Sequence, residues 1–273
     1  MLGGLSNQPV TIIIGIFLAG LLIGSFVNVL IHRIPKMILH NSDDIQPINL
    51  AYPPSHCPRC KHKLAIWQLI PIISYIMLKG RCHYCREKIA DGYTITEVVC
   101  MLVTVLCFIY FGVQMRAVAA CILSYVLIAL IAIDAKHHIL PDMLTLPGLW
   151  LGLLFNSYIG IAHTDQAIFG AVAGYLILWF VAFLYQLVRR KHGMGHGDMK
   201  MLAMLGAWFG IAWVFTILFI GVILALISAT AMLITKQLDK GEPLPFGPYL
   251  ALGGWLVLFL QPELINFLGS WLS

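Results

Sequence analysis

The sequence predicts an all-α fold: a polytopic membrane helix bundle of about eight transmembrane helices. Three observations predict it. Sixty per cent of the residues are hydrophobic and 11% are charged, with a mean hydropathy of +0.89, whereas a soluble domain carries about a quarter charged residues. The apolar residues fall into long runs, and about 20 such residues cross a bilayer as a helix. The Lys and Arg residues collect in the polar connections between those runs, as membrane topology demands. A chain of 273 residues with this pattern is one integral membrane bundle, not two soluble domains. The net charge of +5 is then a topology signal. Basic and aromatic residues do not interleave, so membrane lipid is an expected partner and nucleic acid is not.

Taken in order, Val10 to Ile31 is the first span. Residues 33 to 92 form a long polar loop. Val98 to Phe111 makes most of a second span, starting near Thr94. Ala117–Ile133, Leu146–Ala162 and Ala167–Val188 are the third, fourth and fifth. Met199 to Ile234 is too long for one crossing, and Gly206, Gly210 and Gly221 interrupt it, so two helices turning near Gly210 are expected. Tyr249 to about Leu268 is the last. The organisation is therefore 1–32 as a first transmembrane helix, 33–93 as a loop domain and 94–273 as the remaining bundle.

Orientation follows from the basic residues. If residues 33–92 face the cytoplasm and the spans alternate, 16 of the 17 Lys and Arg residues lie on the cytoplasmic side and only Arg116 lies outside. Residues 1–9 carry no charged side chain and face out; they lack the basic n-region of a signal peptide.

The loop carries Cys57-Pro58-Arg59-Cys60 and Cys82-His83-Tyr84-Cys85, with residues 61–81 between them. Four thiolates from two Cys-x-x-Cys pairs close a tetrahedral zinc site of the structural kind. A disulfide framework is the competing reading, and a reducing cytoplasm disfavours it. Cys100, Cys107 and Cys121 lie in apolar runs and read as small core or lipid-facing residues. Between the two pairs, Leu64–Leu78 is nearly all apolar. It is short for a span and is interrupted by Gln68 and Pro71. An interfacial or re-entrant segment, with Trp67 and Tyr75 at headgroup level, keeps both pairs on one side so that a single metal can clamp its ends.

Two acids stand at cytoplasmic mouths of helices. Asp134 ends the run from Leu127 to Ile133, and Asp198 closes Gly193-Met194-Gly195-His196-Gly197-Asp198. An acid at membrane depth is costly and so is a functional candidate. The chain crosses twice between them, which returns both to the same face. Glycines 193, 195 and 197 clear side chains from around Asp198 and admit a substrate backbone. Two carboxylates that share a proton form an aspartic-protease dyad: one activates water and the other, protonated, polarises a peptide carbonyl. The bland alternatives are that Asp198 caps a helix and that Asp134 merely ends a span beside Lys136. Asp142, in Leu140-Pro141-Asp142, is the rival first carboxylate, or the N-cap of the fourth span.

The chain resembles the type IV prepilin leader peptidases, the bifunctional prepilin peptidase and N-methyltransferase family. The resemblance rests on Gly20 to Pro35, on the two Cys pairs flanking Pro71-Ile72-Ile73-Ser74-Tyr75 and on Ile133-Asp134 with Leu140-Pro141-Asp142. It rests further on Gly195-His196-Gly197-Asp198, a Gly-x-Gly-Asp motif, and on Pro245-Phe246-Gly247-Pro248. Many members lack the Cys loop, which this chain has. The resemblance implies a membrane aspartic peptidase bundle over 94–273. It implies a multi-pass protein of the bacterial inner membrane with its active site at the cytoplasmic face. The substrates it implies are prepilins and related pseudopilins, of type IV pilus and type II secretion systems, cut after a glycine. The new N-terminal residue, usually phenylalanine, is then methylated with S-adenosylmethionine as methyl donor.

Other residues carry two readings. Gly20 and Gly24 form a helix-packing Gly-x-x-x-Gly. Asn28 and His32 share a face and line a substrate or methyl-donor site, or make a polar contact between helices. Glu97 begins the second span, as a charge favoured by the helix dipole or as a methyltransferase residue. His137, His138 and His196 read as polar lining near the dyad. No Gly-rich nucleotide fingerprint is present, so the methyl-donor site is unconventional. A peptidase alone and a non-enzymatic assembly factor acting through the zinc loop are the other functional readings.

Overall fold

A computed structural model describes residues 8–39, 49–160, 162–190, 195–236 and 244–272, with side chains up to Gln261. Among the described residues every long element is helical: α1 (Val10–Leu39), α2 (Ile73–Met77), α3 (Asp91–Phe111), α4 (Met115–His137), α5 (Asp142–Tyr158), α6 (Thr164–Arg189), α7 (His196–Phe209), α8 (Ile211–Ile234) and α9 (Gly247–Leu272). The seven apolar runs fold as eight helices, α1 and α3 to α9. Of these, α1, α3, α4, α6 and α8 are long and apolar enough to cross a bilayer. The 199–234 run breaks at Gly210, whose φ of 82° suits a residue without a side chain. The chain forms two compact units, Met1–Ala129 and Leu130–Ser273.

In the first unit α1 and α3 pack antiparallel along small residues. A Cβ at Gly20 would lie 2.8 Å from Met101 Cα, and one at Gly24 would lie 2.8 Å from Glu97 Cα, so Gly20 and Gly24 are the packing face the sequence suggests. Two boundaries differ from expectation. Helix α1 continues past Ile31 through Pro35 to Leu39. At about 45 Å it exceeds the ~30 Å hydrocarbon layer, because hydropathy ends where charge begins while helical hydrogen bonding does not. Arg33, on this extension, donates to the carbonyls of Asn49, Leu50 and Pro53 and gathers the following loop. Helix α3 begins at Asp91, so Glu97 lies nearly two turns inside it rather than at its start. The dipole of the first turn is therefore not what holds Glu97.

In the second unit α7 is the centre, packed by α5, α6, α8 and α9. Met199 and every residue from Met201 to Phe209 are buried. Its 14 residues span only about 21 Å. Side chains at Gly170 and Gly206 would overlap each other's backbone, and a Cβ at Gly174 would meet Leu202 O at 2.6 Å. The α6–α7 pair thus touches backbone to backbone. At the far end of α7, Asn156 Nδ2 donates to the carbonyls of Ala207 and Trp208, and Trp208 Nε1 donates to Gly148 O, so carbonyls left over at the helix end find donors.

Candidate functional sites

The Cys loop is built from two copies of one knuckle. In the first, Cys57 N donates to His62 O, Lys61 N donates to Cys57 O, and His56 bridges to Lys63. In the second, Cys82 N donates to Glu87 O, Arg86 N donates to Cys82 O, and Arg81 bridges to Lys88. The residue after each second cysteine, Lys61 or Arg86, has φ near 60°. The repeated turn aims both thiols of a pair the same way, and Arg59 pairs with Glu87 across the copies. The ligand atoms of Cys57, Cys60, Cys82 and Cys85 all lie within 4.8 Å of one another, and Cys57 Sγ is 3.8 Å from Cys85 Sγ. A tetrahedral zinc with ~2.3 Å bonds sets its sulfurs about 3.8 Å apart; a disulfide would need ~2.05 Å, and all four cysteines are free. The donor set and its spacing therefore fit zinc. Leu64–Leu78 does not separate the pairs. It folds as a single 3-10 turn, Ile66–Leu69, and the short α2, with Ile66 87% exposed.

The second unit brings Asp134 and Asp198 together. Asp134 is buried in the last turn of α4, and its Oδ2 accepts the N–H of Gly247 at 3.0 Å. Asp198 is half-buried in the first turn of α7, whose N-cap is Gly195. Burial pushes its carboxyl up to about 7, and the negative charge of the nearby Asp134 adds to the effect. Leu140 lies against both Gly197 and Gly247: a Cβ at Gly197 would lie 2.7 Å from Leu140 Cβ, and one at Gly247 would lie 3.0 Å from Leu140 Cδ2 and 2.6 Å from Asp134 Oδ2. Glycine is thus required at 197 and 247 by contact. At Gly195 a Cβ would make only an ordinary contact, 3.7 Å from Asp198 Oδ2, so that glycine leaves space over the carboxylate. Gly193 lies outside the described residues.

Asp142 is placed elsewhere. It is the first residue of α5, with Pro141 in the capping position, so it does not cap that helix. Both its oxygens lie 2.7 Å from Lys200 Nζ, and its side chain is 55% exposed. His137, His138 and His196 are exposed. The residue that sequence reasoning missed is Gly247, whose backbone N–H serves Asp134 from 113 positions away. The Pro245-Phe246-Gly247-Pro248 turn was its only signal.

Two family models match the chain: the bacterial peptidase A24 N-terminal domain over residues 18–111 and the type IV leader peptidase family over residues 121–230. A protein of Pseudomonas aeruginosa is 41% identical over 271 residues, covering 94% of this chain and 93% of that protein. One from Stutzerimonas stutzeri is 39% identical, covering 93% of this chain and 92% of its own length. One from Neisseria gonorrhoeae is 36% identical, with 93% and 92% covered. All three are named prepilin leader peptidase/N-methyltransferase. No solved structure matches the chain. With relatives this similar along nearly its whole length, the chain belongs to the type IV leader peptidase family.

Proposed function

We propose that this protein is a bacterial inner-membrane prepilin peptidase and N-methyltransferase whose hydrolytic dyad is Asp134 and Asp198. It removes the leader from type IV prepilins and related pseudopilins at the cytoplasmic face, then methylates the new N-terminal amine with S-adenosylmethionine. The observation that carries the peptidase reading is the convergence of a buried and a half-buried carboxylate at the ends of α4 and α7, close enough that one raises the other. Their environments suggest the division of labour. Asp134 accepts a backbone N–H, which suits the ionised partner, and it takes a proton from the attacking water. Asp198 holds its proton up to about pH 7 and donates it to the carbonyl oxygen of the scissile peptide. Asp142, tied to Lys200, stands outside this pair. In the loop domain we assign one structural zinc to Cys57, Cys60, Cys82 and Cys85, a closed shell that leaves no position for water.

The test is a purified prepilin incubated with the protein and S-adenosylmethionine, read by mass spectrometry. The wild type yields a cleaved, methylated product. Asp134→Asn and Asp198→Asn each lose on the order of 10³-fold in cleavage while inserting normally, and full activity in either removes that aspartate from the dyad. Orientation is tested separately: cysteines placed at positions 79 and 138 label from the cytoplasm, and one at position 115 labels from outside.

A further inference from the structure

The first unit holds a buried carboxylate that cleavage does not use. Glu97 is 9% exposed, and among the described residues no basic side chain forms an ion pair with it. Its partners are neutral: the N–H of Ile72 at 3.1 Å and the hydroxyl of Ser25. A lone carboxylate at such depth is expensive unless a positive group meets it. The backbone is also bent to reach it. Ile72 sits at φ 57°, ψ −48°, a region that a β-branched residue enters only when its surroundings force it.

Two buried amides of the first unit are half-used, and one of them lies on the same seam as this carboxylate. Asn28, 5% exposed, donates its Nδ2 to Tyr93 O, and its Oδ1 has no partner. Tyr93 O is the helical carbonyl one turn ahead of Glu97, and Gly24, one turn before Asn28, touches Glu97 directly, so Asn28 and Glu97 share one stretch of the α1–α3 seam. Gln68, 8% exposed, accepts Ala65 N–H at its Oε1, and its Nε2 has no partner. It lies four residues before Ile72, the residue whose N–H Glu97 accepts. The ring of Tyr93, whose carbonyl Asn28 holds, stacks on His32 at 4.4 Å. Buried polar atoms are nearly always paired. The Asn28 orphan on the seam of an uncompensated carboxylate describes a site prepared for a ligand. The Glu97 carboxylate and the unpaired Asn28 Oδ1 are both acceptors, so they ask for a cation, and an onium group suits a site edged by the Tyr93 ring.

Resting on the methyltransferase reading above, we propose that Glu97 and Asn28 bind the onium group of the methyl-transfer reaction. That group is either the sulfonium of S-adenosylmethionine or the free N-terminal ammonium of the cleaved chain. The amine's lone pair forms the new N–CH3 bond as the S–CH3 bond breaks onto sulfur, so S-adenosylmethionine leaves as the neutral thioether S-adenosylhomocysteine, and the amine's proton passes to water. Glu97 and Asn28 hold the charge. Glu97 is thus a binding residue, distinct from the aspartate dyad.

Equilibrium dialysis on the full-length protein tests this with two matched pairs of probes: S-adenosylmethionine against S-adenosylhomocysteine, and a mature-pilin N-terminal peptide with a free amine against its acetylated form. The wild type prefers the charged member of at least one pair by about tenfold or more. Glu97→Gln, with its fold checked by thermal melting, removes that preference and leaves affinity for the neutral member within about threefold; Glu97→Asp restores part of it. Loss in the first pair assigns the carboxylate to the sulfonium, and loss in the second to the ammonium. Asn28→Ala must weaken the same preference, which keeps the proposal testable should Glu97→Gln not fold. No preference in the wild type, or a preference unchanged in both variants, overturns it. A wild type that cleaves prepilin but yields no methylated product overturns instead the methyltransferase reading beneath it.

Discussion

The loop of the first unit and α7 of the second position functional side chains by opposite means. Between residues 49 and 90 only Cys57, Gln68, Pro71, Gly80 and Cys82 are buried, whereas α7 buries Met199 and all of Met201–Phe209. The loop has no hydrophobic core of its own, and a segment of that size needs a staple. Its order comes from two repeated knuckles whose four thiols converge. Helix α7 needs no staple, because glycine contacts let α6 press onto it backbone to backbone. The proposed dyad is thus carried in part on a tightly packed helix, while the four-thiol cluster lies in the stretch that packing holds least.

The comparison breaks most sharply at Gly206. Gly206→Ala places a methyl against the Gly170 carbonyl, and forced overpacking costs about 3 kcal/mol. Thermal melts in detergent should show that loss together with reduced cleavage, while zinc content stays near one per chain. A wild-type melt would mean that α6 and α7 are not pressed together as described.

Cys60→Ser sharpens the other side. Its zinc content should fall well below one, and limited proteolysis within residues 49–90 should quicken about tenfold, since structural zinc binding is folding energy. Cleavage of prepilin should persist. If the variant keeps its metal, the four-thiolate assignment fails.

The proton on Asp198 makes a smaller, graded prediction. Its carboxyl is raised to about 7, so the acid form is full below that pH and is lost as pH rises through it. Cleavage should therefore decline above about pH 7, approaching tenfold per unit. The folded state also keeps a proton that the unfolded chain releases near pH ~3.9, so stability falls with rising pH between that value and about 7. A cleavage rate flat from pH 6 to 9 would show that Asp198 is not the acid. The smallest effect is expected at Asp142. Its ion pair with Lys200 is 55% exposed on the carboxylate side, and such pairs contribute at most about 1 kcal/mol. Asp142→Asn should keep cleavage within about threefold of wild type, and a dead enzyme would return Asp142 to the dyad.

Much of this molecule was legible in its sequence. Apolar run lengths marked every long helix, Gly210 marked the break between α7 and α8, and the spacing of Gly20 and Gly24 marked a packed face. These signals are local: the chain must hide apolar surface wherever it occurs, and a tight turn must fall where a glycine permits it. The two Cys pairs are equally local, since each thiol needs only its own turn to aim it. Tertiary structure alone decided which acid meets which partner. Asp134 is served by Gly247 and Asp142 is taken by Lys200, from positions far along the chain. Glu97 lies deep in α3 under the N–H of Ile72 rather than at a helix start. Hydropathy records what burying a carboxylate costs. The groups that offset the cost are brought up by packing between helices, and no window of sequence contains them.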